Sequence, residues 1–234
     1  MIAPDRSQPP VSQSTDTRAD LTRRQILRAA AHQFAHRSYS EVSLGDILAD
    51  AAVTKGAMYF HFRSKYALAL AIIDEHIAGG RAAANAVLER RLSGLETLID
   101  IWYLLAARDL TDEVTRAGLN LIESVGRADA VQPKLLGQWI DAFAMILRRA
   151  VTEGDVRDDV NVDATARLIV ALHMGLRQTS DLSDPHTFFT DLQQIWLVIL
   201  AGVGQPERIG YMTEFIRRRT AVAVNTVPLR VDTP

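Results

Sequence analysis

The chain contains no cysteine, which removes disulfides, thiolate metal sites and cysteine nucleophiles together. No segment approaches the roughly 18–20 consecutive apolar residues of a membrane-crossing helix. The opening MIAPDRSQPPVSQSTDT lacks the apolar stretch of a signal peptide, so no membrane partner and a cytoplasmic location are expected. Gly-rich phosphate loops, nucleophile elbows and paired-carboxylate motifs are missing as well. The histidines His32, His36, His61, His76, His173 and His186 are scattered, and the His32, His36 pair lacks the Glu and the third ligand of a zinc helix. Asp158 and Asp159 follow Gly154 in a loop, where solvated charge is the expected role. No catalytic residue, metal or cofactor is expected, and the chain does not read as an enzyme.

What is present is helical periodicity throughout, with no alternating strand pattern and no internal repeat. At 234 residues and 48% apolar content the chain can hold one small and one medium domain, each with a core. Beyond residue 63, helices are expected at 64–91, 94–109, 112–126, 133–153, 163–180, 185–203 and 206–223. Gly154 ends one of these and Asp163 is expected to cap the next, while Asp184 before Pro185 is a cap with proline at the first helical position. The Pro, Ser and Thr-rich segment 1–17 reads as a disordered tail and 225–234 as a flexible one.

The most informative stretch is VSLGDILADAAVTKGAMYFHFRSK, residues 42–65. Ser43 is placed to cap a helix whose apolar positions Leu44, Ile47, Leu48 and Ala51 recur at spacings of three and four. After Ala51 and Ala52 the chain must turn within about three residues, and Thr54 supplies a second cap for the segment from Lys55 to Phe62. Met58 and Phe62, four apart, can pack inward. That turns Lys55, Gly56, Tyr59 and the side of His61 outward, with Phe60 beside them. A cation and a glycine at the first helical positions suit close approach to base edges in a major groove about 12 Å wide. Tyr59, His61 and Lys65 are suited to phosphates, and the free N–H groups behind Ser64 form a further phosphate site. An ordinary helical hairpin in a core remains open at this point. Upstream, an amphipathic helix with Ile26, Leu27, Ala30, Ala31 and Phe34 on one side, preceded by Arg18, Arg23 and Arg24, completes a three-helix unit.

Net charge is −2, which looks wrong for a DNA binder until the chain is divided. Residues 17–66 hold eight basic and four acidic side chains, giving +4, whereas 67–234 hold 17 basic and 22 acidic, giving −5. Positive charge is concentrated where the two short helices at 43–62 and their turn read as a helix-turn-helix, as a phosphate-binding face requires.

The pattern I…AA…F…YS…SL..I…A.VTKGAMYFHF.SK resembles the N-terminal domain of TetR-family transcriptional regulators. The resemblance covers about fifty residues. It implies an all-α protein, with a helix-turn-helix DNA-binding domain at 18–66 and a helical ligand-binding and dimerisation domain at 67–224. The expected DNA-binding residues are Ser43, Thr54, Lys55, Gly56, Tyr59, Phe60, His61 and Lys65. Three positions depart from the family. Ala52 stands where the turn usually has glycine, Ser38 stands where the first loop usually has glycine, and Tyr66 replaces a common acidic residue. If the first two need φ > 0, each costs roughly 1 kcal/mol or is relieved by a changed turn.

Two segments, 164–176 and 188–203, are too apolar for a single covered face. In a monomer they are core; paired about a two-fold axis they form the four-helix dimer interface used by TetR-like proteins. Dimerisation would place two recognition helices about 34–36 Å apart on a palindromic operator. The helices from 94 to 153 concentrate aromatic and aliphatic side chains with few polar ones, which is how a small-molecule site is usually built, and also how a core is built. Trp102, Leu121, Val125, Gln138, Trp139 and Phe143 are the candidate ligand residues. The order AGL.L…(P)…W……A…G…..V.VD.TA, from Ala117 and Gly118 through Pro133 and Trp139 to Val162, Asp163 and Ala166, is similar to the γ-butyrolactone-receptor branch, in which a tryptophan at this point lines the effector pocket. The resemblance implies a cytoplasmic, nucleoid-associated repressor, released from its operator when a largely apolar effector displaces the helix beginning at Ser64. The alternative is a ligand-independent pseudo-receptor or architectural DNA-binding protein.

Overall fold

The computed structural model describes residues 18–126 and 130–228; the tail expected over 1–17 lies outside them. Among the described residues the chain forms ten α-helices and one isolated bridge between Val156 and Gly204. In order these are α1 Arg18–His36, α2 Leu44–Ala51, α3 Lys55–His61, α4 Lys65–Leu88 and α5 Gly94–Thr111. Then come α6 Glu113–Ser124, α7 Val131–Thr152, α8 Val162–Thr179, α9 Pro185–Val203 and α10 Pro206–Thr226.

Local capping chemistry sets most of the boundaries. Ser43 and Asp46 form a reciprocal capping box at α2, Ser93 and Glu96 do the same at α5, and Asp184 caps α9 ahead of Pro185. Three expectations are corrected. The cap of α8 is Asn161, whose Oδ1 accepts from the Ala164 N–H at 3.0 Å, and Asp163 lies in the first turn, where its charge favours the helix dipole. α5 runs past Asp109 to Thr111 because Asp109 is a buried ion-pair partner rather than a helix breaker. At the C-terminus α10 reaches Thr226 and Val227 is buried, so residues 225–228 are not a free tail; 229–234 lie outside the described residues.

The buried side chains form two cores. One gathers Ile26, Ala30 and Phe34 of α1, Ile47 of α2, Met58 of α3 and Leu68, Ile72 and Ile73 of α4, and is closed by Leu121, Ile122 and Val125 on and just after α6. The other joins α5, α7, α8, α9 and α10 around Trp102, Tyr103, Phe188, Phe189 and Trp196. α4 runs uninterrupted from the first core to pack beside α5, a helix of the second. Its junction with α6 is close enough that a Cβ on Gly118 would strike His76.

α8 and α9 each have one covered face and one bare one. Phe188, Leu192, Trp196 and Ile199 are buried, while Leu168 is 53% exposed and Val198 75% exposed. Ala164, Ala171, Gly175, Ala201 and Gly202 are exposed on the same two helices, so the apolar excess of these segments is partly core and partly an outward strip of small and aliphatic side chains.

Candidate nucleic-acid interface and cavity

α1, α2 and α3 present α3 outward on a packed base. Met58 and Phe62 are 0% and 5% exposed and point inward, whereas Thr54, Lys55, Gly56 and Tyr59 are exposed, His61 is half-buried and Phe60 is 79% exposed. The turn before α3 is held by Gln25 of α1, whose side-chain amide donates to the Ala51 carbonyl at 2.7 Å. Ala52 adopts φ 50°, ψ 39°, the left-handed region, so the strain foreseen at this position is present. Ser38 is absent from the positive-φ residues among those described; its loop is instead tied by Ser38 N–H and Oγ to Glu41 Oε2, at 3.1 and 2.8 Å. Those hydrogen bonds hold the Glu41 carboxyl below its ordinary pKa.

On α3, the Thr54 hydroxyl accepts from the Ala57 N–H at 3.2 Å, and nothing lies within 4 Å of where a Cβ on Gly56 would sit. Lys55 Nζ hovers 5.9 Å from the Tyr59 ring centroid, and Phe60 meets His61 edge-on at 5.0 Å. The outer face of α3 is thus a cation, an open glycine and aromatic rims. Ser43 Oγ accepts from Asp46 N–H, which leaves its hydroxyl hydrogen for an external acceptor.

Lys65 departs from expectation. Its ammonium donates to the carbonyls of Tyr39 and Val42, at 2.7 and 2.9 Å, and lies 4.2 Å over the Tyr39 ring. It therefore bolts the loop after α1 to the start of α4 instead of standing free for a phosphate. Arg63, exposed just before the α4 cap Ser64, is the cation that the sequence pattern passed over at this edge. Its place one residue ahead of the cap was the signal.

A cavity of about 460 Å³ lies between α4, α5, α6, α7 and α8. Of the candidate ligand residues, Trp102, Gln138, Trp139 and Phe143 line it; Leu121 and Val125 do not. Those two belong to the first core, because α6 turns that face toward α1 and shows Thr115 and Leu119 to the cavity. The walls are mainly apolar, and the polar side chains among them are His76, Arg81, Asn85, Arg108, Thr115, Gln138 and His173. His76 packs edge-on against Trp139, centroids 6.3 Å apart, with neither ring nitrogen hydrogen-bonded. Trp102 Nε1–H donates to His173 Nδ1 at 2.5 Å. Burial lowers the pKa of both His76 and His173 to about 4, against a smaller opposing pull from Asp109, so both imidazoles are neutral at pH 7.

Beside His76 and His173 runs a buried network that sequence spacing could not reveal. Arg177 of α8 donates from Nε and Nη2 to the two Asp109 oxygens of α5, at 2.5 and 3.3 Å. Nη1 reaches Glu123 at 2.9 Å and Nη2 reaches Asn120 Oδ1 at 3.2 Å, both on α6. Asn120 Nδ2 in turn donates to the Phe34 carbonyl of α1 at 3.1 Å. A continuous polar path thus joins the helix carrying His173 to the last turn of α1.

Comparison with known proteins matches residues 26–72 to the N-terminal model of bacterial regulatory proteins, tetR family. Residues 92–204 match a tetracyclin repressor-like C-terminal domain. The chain is 32% identical over 197 residues to the A-factor receptor protein of Streptomyces griseus, covering 83% of this chain and 68% of the relative. Among solved structures, a gamma-butyrolactone receptor described as ArpA-like superposes with a TM-score of 0.77 at 30% identity, over 88% of this chain and all of that one. CprB from Streptomyces coelicolor, solved in complex with its operator sequence, gives a TM-score of 0.76 at 30% identity over the same shares.

Proposed function

The chain belongs to the TetR family of bacterial regulators, as a transcriptional repressor related to the gamma-butyrolactone receptors, and from that premise we propose an inducible switch. It binds a palindromic operator as a homodimer and is released by a small, largely apolar effector of the butyrolactone or butenolide kind. The observation that carries the effector half is the cavity. A space of about 460 Å³ bounded by α4 is in the usual range for small-molecule sites, and α4 is the helix that continues into the DNA-binding core. An open cavity favours this reading over a ligand-independent regulator, for which a filled one is expected.

DNA recognition is assigned to α3, with Lys55 and Gly56 at base edges, Tyr59 and His61 at phosphates, and Ser43, Thr54 and Phe60 at the rim. Trp139 is assigned to the effector, because it closes the cavity over His76. Effector entering between α4 and α7 would displace α4 and spoil the spacing of the paired recognition helices. A typical coupling of about 1–3 kcal/mol would weaken operator binding roughly 5- to 150-fold. Support also comes from the operator complex of CprB and from the bare strip on α8 and α9, a surface of the kind that two-fold pairing covers.

The test is binding of the purified protein to the DNA upstream of its own gene, with and without a lactone-containing culture extract, for the wild type and Trp139→Ala. The expected result is tight wild-type binding relieved by extract, and tight variant binding that extract no longer relieves. Tight wild-type binding that no extract relieves would overturn the inducible mechanism while leaving the repressor intact.

A further inference from the structure

The sequence pattern dismisses His32 and His36 as metal ligands for want of a third. The structure supplies one from a distant helix. Glu113, in the first turn of α6, comes to His32, with Nδ1 and Oε1 3.1 Å apart. The two rings, one helical turn apart on α1, are tilted at 5.0 Å, and donor atoms from His32, His36 and Glu113 all lie within 4.8 Å of one another. Among the described residues this is the one such cluster of three.

We propose that His32, His36 and Glu113 form a divalent transition-metal site that clamps α1 to α6. Three features carry it. First, the donor set, two imidazoles and one carboxylate with an open fourth position, suits Zn2+ and its neighbours and not Mg2+ or Ca2+. Second, His36 already has the support that metal-bound histidines show: its Nδ1 lies 2.8 Å from the His32 carbonyl, and donation there leaves the Nε2 lone pair free. Third, the side chains can move. His32 and Glu113 are 54% and 44% exposed, and donors about 2.0–2.2 Å from a tetrahedral ion stand roughly 3.5 Å apart. Rotamer changes at the surface are enough to close the distance.

The location gives the site its consequence. α1 belongs to the DNA-binding core, while α6 lines the cavity with Thr115 and Leu119. An ion shared between them fixes the joint through which cavity and operator face would communicate. The inference does not depend on which effector the cavity takes, or on whether it takes any.

Equilibrium dialysis of the untagged, full-length protein against ZnCl2 tests it, together with thermal melting. The expected outcome is one Zn2+ per protomer and a melting temperature raised by about 5–10 °C at a hundredfold excess over Kd. Both effects should be lost in each of His32→Gln, His36→Gln and Glu113→Gln, all at exposed or half-buried positions where the metal-free fold tolerates the change. Binding that survives Glu113→Gln but not His36→Gln would reduce the site to a histidine pair on one helix and overturn the clamp. Absence of stoichiometric binding, or binding unchanged in all three variants, would overturn the site itself.

Discussion

Lys65 spends two of its three N–H donors on the Tyr39 and Val42 carbonyls, and that geometry separates its work from that of the neighbouring cations. Lys65→Ala leaves both carbonyls short of a donor, so it should cost about 1–3 kcal/mol of folding stability in urea denaturation while the ratio of operator to random-DNA affinity stays unchanged. Lys55, exposed at the head of α3, is the proposed base reader. Lys55→Ala should cost about 1–3 kcal/mol on operator DNA and little on random DNA, whereas Arg63→Ala should weaken both alike and lower the salt slope by about one. Equal losses of preference from these two substitutions would refute the division. Ala52 offers a prediction of the opposite sign. Its φ of 50° costs an alanine roughly 1–2 kcal/mol that a glycine avoids, and glycine's extra freedom in the unfolded chain returns about 0.4–1 of this. Ala52→Gly should therefore raise the melting temperature by about 2–4 °C; a fall would mean the turn holds alanine without strain.

Between elements, the Arg177 and Asp109 side chains are 2% and 0% exposed, and losing Asp109 removes the fully buried one of the two carboxylates on Arg177, leaving Glu123. Asp109→Asn should destabilise the protein by about 3–5 kcal/mol, and a loss below about 1 kcal/mol in chemical denaturation would show that Glu123 balances the Arg177 charge alone. His76 and His173 add a pH dependence. Each has a folded pKa lowered to about 4 by burial against about 6.5 unfolded, so the unfolded chain binds more protons and stability falls as pH drops from about 6.5 toward 4. His76→Gln should flatten the melting-temperature profile in that window and leave it unchanged above pH 7. These interhelical features mark the limit of what the sequence discloses. Helix ends were legible because Ser43, Thr54, Ser64, Ser93 and Asp184 cap them locally. Trp102, Gln138 and Phe143 were candidates from a clustering that a core would show equally, and Trp139 from the family resemblance; all four line the cavity. Leu121 and Val125 were not placed correctly, since the face that α6 shows to α1 depends on packing rather than period. Asp109 with Arg177, 68 positions apart, and His32 with Glu113, 81 apart, meet only through the tertiary fold.

At the scale of the whole molecule the unbalanced feature is charge and apolar surface carried by different helices. The positive excess lies in the first 66 residues, while the bare aliphatic strip lies on α8 and α9, where Leu168 and Val198 are 53% and 75% exposed. Water-exposed Val198 has no local reason to be apolar. Neither glycine of the strip is crowded: a Cβ on Gly175 or Gly202 would meet nothing within 4 Å, so their smallness serves no contact inside the protomer. Small residues beside a protruding aliphatic one are what two helix pairs need to approach closely about a two-fold axis. Single-site phosphate and base contacts leave a protomer with weak affinity, and pairing couples two such sites at about 34–36 Å. Val198→Asp would set like charges against each other near that axis and bury them unpaired. The variant should be monomeric by light scattering, keep its helical circular dichroism, and bind operator at least 100-fold more weakly while its affinity for random DNA falls far less. A Val198→Asp protein that remains dimeric would place the interface elsewhere, and a monomer that still binds operator tightly would mean that one recognition helix suffices.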